Sequence, residues 1–154
     1  MDGGIFGPGF ERLARALGRM PDRVPLVAQM HEFAMGRTGS NSSSFYTRAD
    51  LLASGIVRTA EQFGFDVPGF AYDVYNIELE ALGQPLVFPA RSTPVPDAGS
   101  FLVRDPSDLS NLRPPTPGED GRMPFVLEAH RRFREATGVE PAIQFCAPFS
   151  LATL

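Results

Sequence analysis

The sequence has no lysine, a single cysteine and no long apolar run, and each absence narrows the choice of fold and function. All 14 basic residues are arginine, a bias that we attribute to genome composition rather than to chemistry. One cysteine excludes an internal disulfide and a metal site built only of cysteines. No apolar stretch approaches the roughly 20 residues of a membrane helix, and the N-terminus lacks a signal-peptide pattern. We therefore expect a cytoplasmic protein without a membrane partner.

The length and charge indicate a soluble globular protein. The chain has 154 residues, of which 43% are hydrophobic and 21% charged, as in an ordinary single domain. Its formal net charge of -4 argues against a nucleic-acid partner.

Apolar side chains at helical spacing predict three longer helices, over residues 10–20, 48–63 and 120–138. Thr47 and Asp50 resemble a capping box before the second helix, and Gly64 is a suitable end for it. Shorter helical turns are predicted for "NIELEALG", ended by Gly83, and for "DPSDLSNL", capped by Ser107 or Asp105.

Apolar runs between these helices predict three buried strands, at 24–30, 67–72 and 141–149. Residues 31–44 are small and polar and are predicted to form a loop with at most one helical turn. The segments "PLVFPA" and "SFLVRD" are predicted to pair as a hairpin. Strands that alternate with amphipathic helices imply a parallel sheet covered on both faces.

Four segments resemble, in order and at suitable spacing, the N-terminal part of the uroporphyrinogen decarboxylase superfamily. They are "PDRVPL", "FGFD", "YDVYNIELEALG" and "APFSLATL". The superfamily includes the decarboxylase of haem synthesis and methyltransferases that move methyl groups between methylcobalamin and a thiol or another acceptor. The resemblance implies an α/β fold that is the N-terminal half of a (β/α)8 barrel. Residues 1–22 would then be a helical lead-in and residues 23–154 the first βα units of a truncated barrel.

Asp73 is the candidate catalytic residue, because it follows the second strand, where chemistry lies in such barrels. The resemblance implies that it faces the substrate and accepts hydrogen bonds from pyrrole NH groups, a role in which a carboxylate stabilises developing positive charge. The alternative is a helix cap, which Asp also forms well.

His31, Glu32 and Arg37 follow the first strand and are candidate substrate-binding residues. Decarboxylases carry two arginines here that hold substrate carboxylates; Arg37 is similar to the second, and His31 occupies the place of the first. Histidine here is either a pH-dependent donor or a loop residue. Decarboxylases also carry a tyrosine where this chain has Leu154. Both differences favour another branch of the superfamily, and "IELEALG" resembles the methyltransferase branch.

Glu78 and Phe149 complete the candidate substrate-binding set. Glu78 either faces the cleft or is a charge on the helix surface, and Phe149 belongs to "APFSLATL". Cys146 is expected to be a small core residue, and His130 a solvated surface residue.

The resemblance implies part of a corrinoid-dependent methyltransferase that moves a methyl group between methylcobalamin and an acceptor. Zinc and a corrinoid are implied for the complete enzyme, with zinc stabilising an acceptor thiolate, but no metal or cofactor is expected to bind this half. Expected partners are a corrinoid protein or a small methyl acceptor, and either a second copy or a complementing C-terminal half that covers the sheet edge. The alternatives are a uroporphyrinogen decarboxylase and a half-barrel without catalysis of its own.

Overall fold

The computed structural model describes residues 4–73 and 75–153, and its centre is a pair of parallel strands. Strand β1 (Val27–Gln29) pairs with β2 (Val67–Gly69), with Val27 opposite Val67 and Gln29 opposite Gly69. Helix α1 (Gly7–Gly18) precedes β1. The connection between the strands contains α2 (His31–Thr38), α3 (Ser42–Phe45) and α4 (Ala49–Phe63).

The chain after β2 is mostly helical. Its elements are α5 (Asn76–Leu82), a short antiparallel hairpin of β3 (Leu86–Val87) and β4 (Val95–Pro96), a 3₁₀ turn (Pro106–Asn111), α6 (Met123–Thr137) and α7 (Pro148–Ala152). Among the described residues, none of the helices is long and apolar enough to cross a bilayer.

Helix α4 is the centre of the core and packs against both α2 and α6. Leu52, Ile56 and Ala60 recur at helical spacing along its buried side and have no exposed surface. Burying a side chain such as leucine or isoleucine contributes roughly 1.5–3 kcal/mol. The helix ends at Gly64, which adopts the left-handed conformation with φ of 66°, as predicted from the sequence.

Several predicted boundaries are confirmed. Helix α5 ends at Gly83 and α6 ends at Gly138, both in the left-handed conformation. The 3₁₀ turn is capped by Asp105, whose carboxylate accepts from the amide of Ser107 at 2.9 Å. These ends depend on short-range backbone chemistry, which a sequence shows directly.

The predicted loop over 31–44 was wrong, because these residues form α2 and α3. The side chains of Ala34 and Met35 are buried in the core that contains α4, so tertiary packing outweighs their polar, small-residue surroundings. The capping box was also wrong: Thr47 Oγ1 donates to the Ser43 carbonyl instead, and the N-cap of α4 is Arg48.

Two strand predictions were also wrong. The hairpin partner of 86–87 is 95–96 rather than "SFLVRD". Residues 141–147 form no strand, although sequence predicts one, and Phe145 is 77% exposed. A strand exists only where a neighbour completes its hydrogen-bond ladder, and the described residues offer none to this segment.

Asp66 joins three parts of the chain at the start of β2. Its carboxylate accepts from the Leu26 amide at 2.8 Å, from Arg23 at 2.8 and 2.6 Å, and from Arg12 of α1. Helix α1 can approach this closely because Gly9 has no side chain: a Cβ there would lie 1.8 Å from the Asp66 carbonyl oxygen. Burial opposes ionisation of Asp66, but the Leu26 amide and the two arginines outweigh it and lower its pKa.

We expect Asp66→Asn to lower the free energy of unfolding by about 2 kcal/mol, because hydrogen bonds to a charged group contribute roughly that much. Urea unfolding would measure the loss. Asp50→Asn is the matched control, since Asp50 pairs with Arg48 at 2.7 Å on the surface and such pairs contribute about 0–1 kcal/mol. Equal losses in the two variants would contradict the role assigned to Asp66.

The same interaction predicts a pH dependence of stability. The folded-state pKa of Asp66 is lowered, so its contribution is present above the unfolded value of about 3.9 and is lost as pH falls through the folded pKa. The difference in unfolding free energy between wild type and Asp66→Asn should therefore stay constant above about pH 5 and narrow as pH falls from about 5 toward about 2. A difference that stays constant over this range would disprove the linkage.

Candidate functional site

A cleft of about 340 Å³ opens at the C-terminal ends of β1 and β2, and we call it the strand-end cleft. Its lining consists of Gln29, His31, Glu32, Tyr72, Asp73, Tyr75, Asn76 and residues 93–96. Parallel strands end at the same edge of a sheet, so the segments that follow β1 and β2 meet there. The fold therefore brings His31, Glu32 and Asp73 together, as the sequence predicts.

The far wall of the strand-end cleft is held by a buried amide. Asn76, the first residue of α5, donates from Nδ2 to the Pro94 carbonyl at 2.7 Å. Tyr75 precedes it with φ of 82°, an unusual value for a residue other than glycine. Such a conformation persists only where the surrounding structure enforces it. It places a half-exposed aromatic ring in the lining of the cleft.

Asp73 is held behind the cleft surface by a buried ion pair with Arg122. The guanidinium donates from Nη1 to Oδ1 at 3.0 Å and from Nη2 to Oδ2 at 2.7 Å. The two side chains are 8% (Arg122) and 0% (Asp73) exposed. The alternative of a helix cap is wrong, because the N-cap of α5 is Tyr75 and no side chain caps that helix. A substrate-binding role for Asp73 stays a prediction.

Arg122 makes three further contacts that fix its position. Its Nε donates to Glu80 at 2.6 Å, its Nη1 donates to the Tyr46 carbonyl at 2.9 Å, and its guanidinium lies 5.2 Å from the centre of the Phe88 ring. Gly121 makes this approach possible, because a Cβ there would lie 2.8 Å from the Ala81 nitrogen. The arginine thus connects the start of α6 to α5 and to the end of α3.

Burial shifts the pKa of two groups near the cleft. It raises the pKa of Asp73, and the hydrogen bonds and charge of Arg122 act against that rise. It also raises the pKa of Tyr46, with the negative charges of Glu32 and Asp73 adding to the effect. The Tyr46 phenol therefore keeps its proton and remains a hydrogen-bond donor.

His31 lines the cleft and has two polar neighbours at one ring nitrogen. Its Nδ1 lies 2.9 Å from the Tyr46 hydroxyl and 3.2 Å from Glu32 Oε2. Tyr46 has no exposed surface, whereas the Glu32 side chain is 49% exposed. Both polar contacts of the ring are thus at Nδ1, and the ring also lines the cleft.

The other predicted site residues lie elsewhere. Arg37 lies in the last turn of α2, and its guanidinium is 5.9 Å from the centre of the Phe63 ring, outside the cleft lining. Phe149 lies on α7, is largely exposed, and does not line the cleft either. Leu154 falls outside the described residues.

Glu78 is turned toward the C-terminal segment. Its Oε1 accepts from the Cys146 amide at 2.8 Å, and its Oε2 is buried without a partner among the described residues. Burial raises the pKa of the Cys146 thiol, and the charge of Glu78 adds to this, so Cys146 is a buried thiol, as expected of a core residue. His130 is half-buried against Phe70 and was wrongly predicted to be solvated.

The donor groups of the described residues do not fit a zinc site. Nowhere in residues 4–73 and 75–153 do three or more His, Cys, Asp or Glu side chains gather so as to hold a metal ion. Cys146 donates to the Ala147 carbonyl at 3.4 Å. No chemical step of this chain is therefore assigned to zinc.

Sequence reasoning missed Arg122 and Tyr46. Arg122 is 49 residues from Asp73, and helical periodicity carries no information about such a distant pair. The local signal available was the glycine before it, since Gly121 at the start of a helix suggests a close backbone approach. Tyr46 lies between the predicted loop over 31–44 and the predicted helix over 48–63, where the sequence predicts no element.

We expect Arg122→Met to destabilise the fold by about 3–5 kcal/mol, because it leaves the Asp73 charge buried and unpaired. The double variant with Asp73→Asn should recover part of this loss. Urea unfolding would measure both. Arg113→Met is the control, since Arg113 is 67% exposed in its pair with Asp120. If Arg122→Met lowers the free energy of unfolding no more than Arg113→Met does, the buried pair does not stabilise the fold as expected.

Comparison with known proteins identifies the family. The model of the family described as uroporphyrinogen decarboxylase matches residues 9–154. A solved structure, a methyltransferase from Methanosarcina mazei, is similar with a TM-score of 0.72 and 25% identity; the match covers 92% of this chain and 43% of that one. None of the curated proteins matches the chain.

These findings confirm the predicted fold class. The chain has the α/β fold of the N-terminal part of a (β/α)8 barrel, in which β1 and β2 are adjacent parallel strands and the strand-end cleft lies where such barrels place their sites. It spans 43% of the length of the structure it resembles. Because the family model matches residues 9–154, the chain belongs to the uroporphyrinogen decarboxylase family.

Proposed function

We propose that this chain is part of a corrinoid-dependent methyltransferase that moves a methyl group between methylcobalamin and a small acceptor. The observation that carries the proposal is the similarity to the Methanosarcina mazei methyltransferase over 92% of this chain. The strand-end cleft is the proposed site for the small substrate. Its volume of about 340 Å³ is at the low end of the range for small-molecule sites, whereas a corrinoid or a porphyrinogen is far larger.

The charge of the cleft lining supports this choice over a decarboxylase. A uroporphyrinogen carries a carboxylate on every side chain and needs cationic groups to hold them. No arginine or lysine is among the residues that line the cleft in the described structure. Arg37 lies against Phe63, and the charge of Arg122 is matched by Asp73 and Glu80.

Zinc and a corrinoid are proposed for the complete enzyme only. Zinc, when bound, would stabilise the thiolate of an acceptor, and its ligands would have to come from residues outside those described here. The contribution proposed for this chain is to bind and orient the small substrate through His31, Glu32 and Tyr75. A corrinoid protein is the proposed methyl-carrying partner.

Tyrosine fluorescence offers a direct test. The chain has three tyrosines and no tryptophan; Tyr72 and Tyr75 line the cleft, and Tyr46 contacts His31. We expect a small uncharged thiol, 2-mercaptoethanol, to change this emission saturably, with the affinity checked by equilibrium dialysis, and uroporphyrin not to bind. Tyr75→Ala should weaken thiol binding about five-fold, the equivalent of one sulfur–aromatic contact of about 1 kcal/mol.

Phe101→Ala is the matched control, because Phe101 is an exposed aromatic residue outside the cleft lining, and this variant should bind 2-mercaptoethanol as the wild type does. Saturable binding of uroporphyrin that is weakened by Arg37→Gln would favour the decarboxylase instead. Binding of neither compound would contradict the proposal and favour a half-barrel without catalysis of its own.

A further inference from the structure

The hydroxyl of Tyr46 has one hydrogen-bond partner among the described residues, and that partner is His31. The distance from Tyr46 Oη to His31 Nδ1 is 2.9 Å. Tyr46 has no exposed surface, so water cannot take the place of an acceptor. A buried hydroxyl that donates to nothing is costly, and burial also keeps this phenol protonated. The hydroxyl must therefore donate, and His31 Nδ1 must accept.

Glu32 is the competing partner of the same nitrogen. Its Oε2 lies 3.2 Å from Nδ1, so a ring protonated on Nδ1 could donate to it. That arrangement would leave the Tyr46 hydrogen without an acceptor. When Tyr46 donates to Nδ1 instead, Glu32 goes without a hydrogen bond from His31. This costs little, because the Glu32 side chain is 49% exposed and water can donate to its oxygens. Only a His31 ring without a proton on Nδ1 gives the Tyr46 hydroxyl an acceptor, so the neutral ring carries its proton on Nε2.

We propose that Tyr46 is a positioning residue whose hydroxyl fixes His31 as the Nε2–H tautomer and so makes His31 a hydrogen-bond donor to a lone-pair atom of the ligand in the strand-end cleft. The proposal rests on the proposed function for the identity of the site, but the tautomer itself does not depend on it. Nε2 has no protein partner among the described residues, and the ring lines the cleft. The N–H is thus free for a ligand.

The donor role also limits the chemistry of the ligand. Glu32, in the same lining, carries a negative charge that is not matched by a cation of the cleft, because the described lining contains no arginine or lysine. An anionic group at His31 would lie beside this carboxylate and be repelled. The atom that His31 meets is therefore an uncharged acceptor, such as the oxygen of a carbonyl, ether or hydroxyl group.

The test is nitrogen NMR of the imidazole rings in the full chain at alkaline pH, where histidine is neutral. Two-bond proton–nitrogen correlations distinguish the tautomers, because the bare nitrogen resonates far downfield of the protonated one. The chain has two histidines, and a spectrum of His130→Gln assigns them. His130 gives a comparison: its Nε2 lies 3.1 Å from the Pro141 carbonyl, whereas its Nδ1 lies 3.4 Å from the exposed Glu140 carboxylate, so the shorter contact favours a proton on Nε2.

In the wild type we expect His31 to show a bare Nδ1 and a protonated Nε2. In Tyr46→Phe the donor is gone and Nδ1 can donate to Glu32, so the two nitrogen resonances of His31 should exchange places. Tyr72→Phe is the matched control, because the Tyr72 hydroxyl donates to the Gln144 carbonyl; it should leave His31 unchanged.

A wild-type His31 protonated on Nδ1 would overturn the proposal by itself, whether or not any variant folds. A Tyr46→Phe spectrum in which the His31 tautomer is unchanged would also overturn it. Failure of 2-mercaptoethanol to bind would count against the proposed function and leave the tautomer result standing, so the two failures can be told apart.

Discussion

The buried ion pair between Arg122 and Asp73 is the interaction on which the arrangement of the site depends. Both charged side chains are buried away from water, and a buried charge is tolerated only when it is paired and hydrogen-bonded. The start of α6, which carries Arg122, and the segment after β2, which carries Asp73, are 49 residues apart in the chain and must therefore adopt their positions together. The ion pair therefore fixes the position of Asp73 in the wall of the strand-end cleft.

Tyr46 extends the same network into the cleft. Its carbonyl accepts from Arg122 at 2.9 Å, and its hydroxyl contacts His31 at 2.9 Å. One residue at the end of a four-residue helix thus joins the buried charges to a side chain that can meet a ligand. Because each member of this network depends on the next for its partner, small movements of α6 relative to α3 are expected to reach His31.

Sequence reasoning succeeded where the relevant physics is local. Gly64, Gly83 and Gly138 end helices because their backbone takes a conformation that glycine favours, and this is visible residue by residue. The position of His31, Glu32 and Asp73 at one sheet edge followed from the βα order alone. Arg122 and Tyr46 could not be found in this way, because their roles arise from contacts between distant segments and not from their neighbours in the chain.

The segment over 141–147 also shows that local sequence alone does not determine structure. Its apolar residues are those of a central parallel strand, yet it is held by side-chain bonds: Tyr72 donates to the Gln144 carbonyl, and Glu78 accepts from the Cys146 amide. These two contacts anchor the segment beside β2 without a backbone ladder, and they leave Ile143 and Phe145 exposed. Strand formation is collective, so a strand-like sequence specifies a strand only together with its neighbours. Exposed apolar side chains are common at surfaces that bind other proteins, and a second copy or a complementing half as partner stays a prediction.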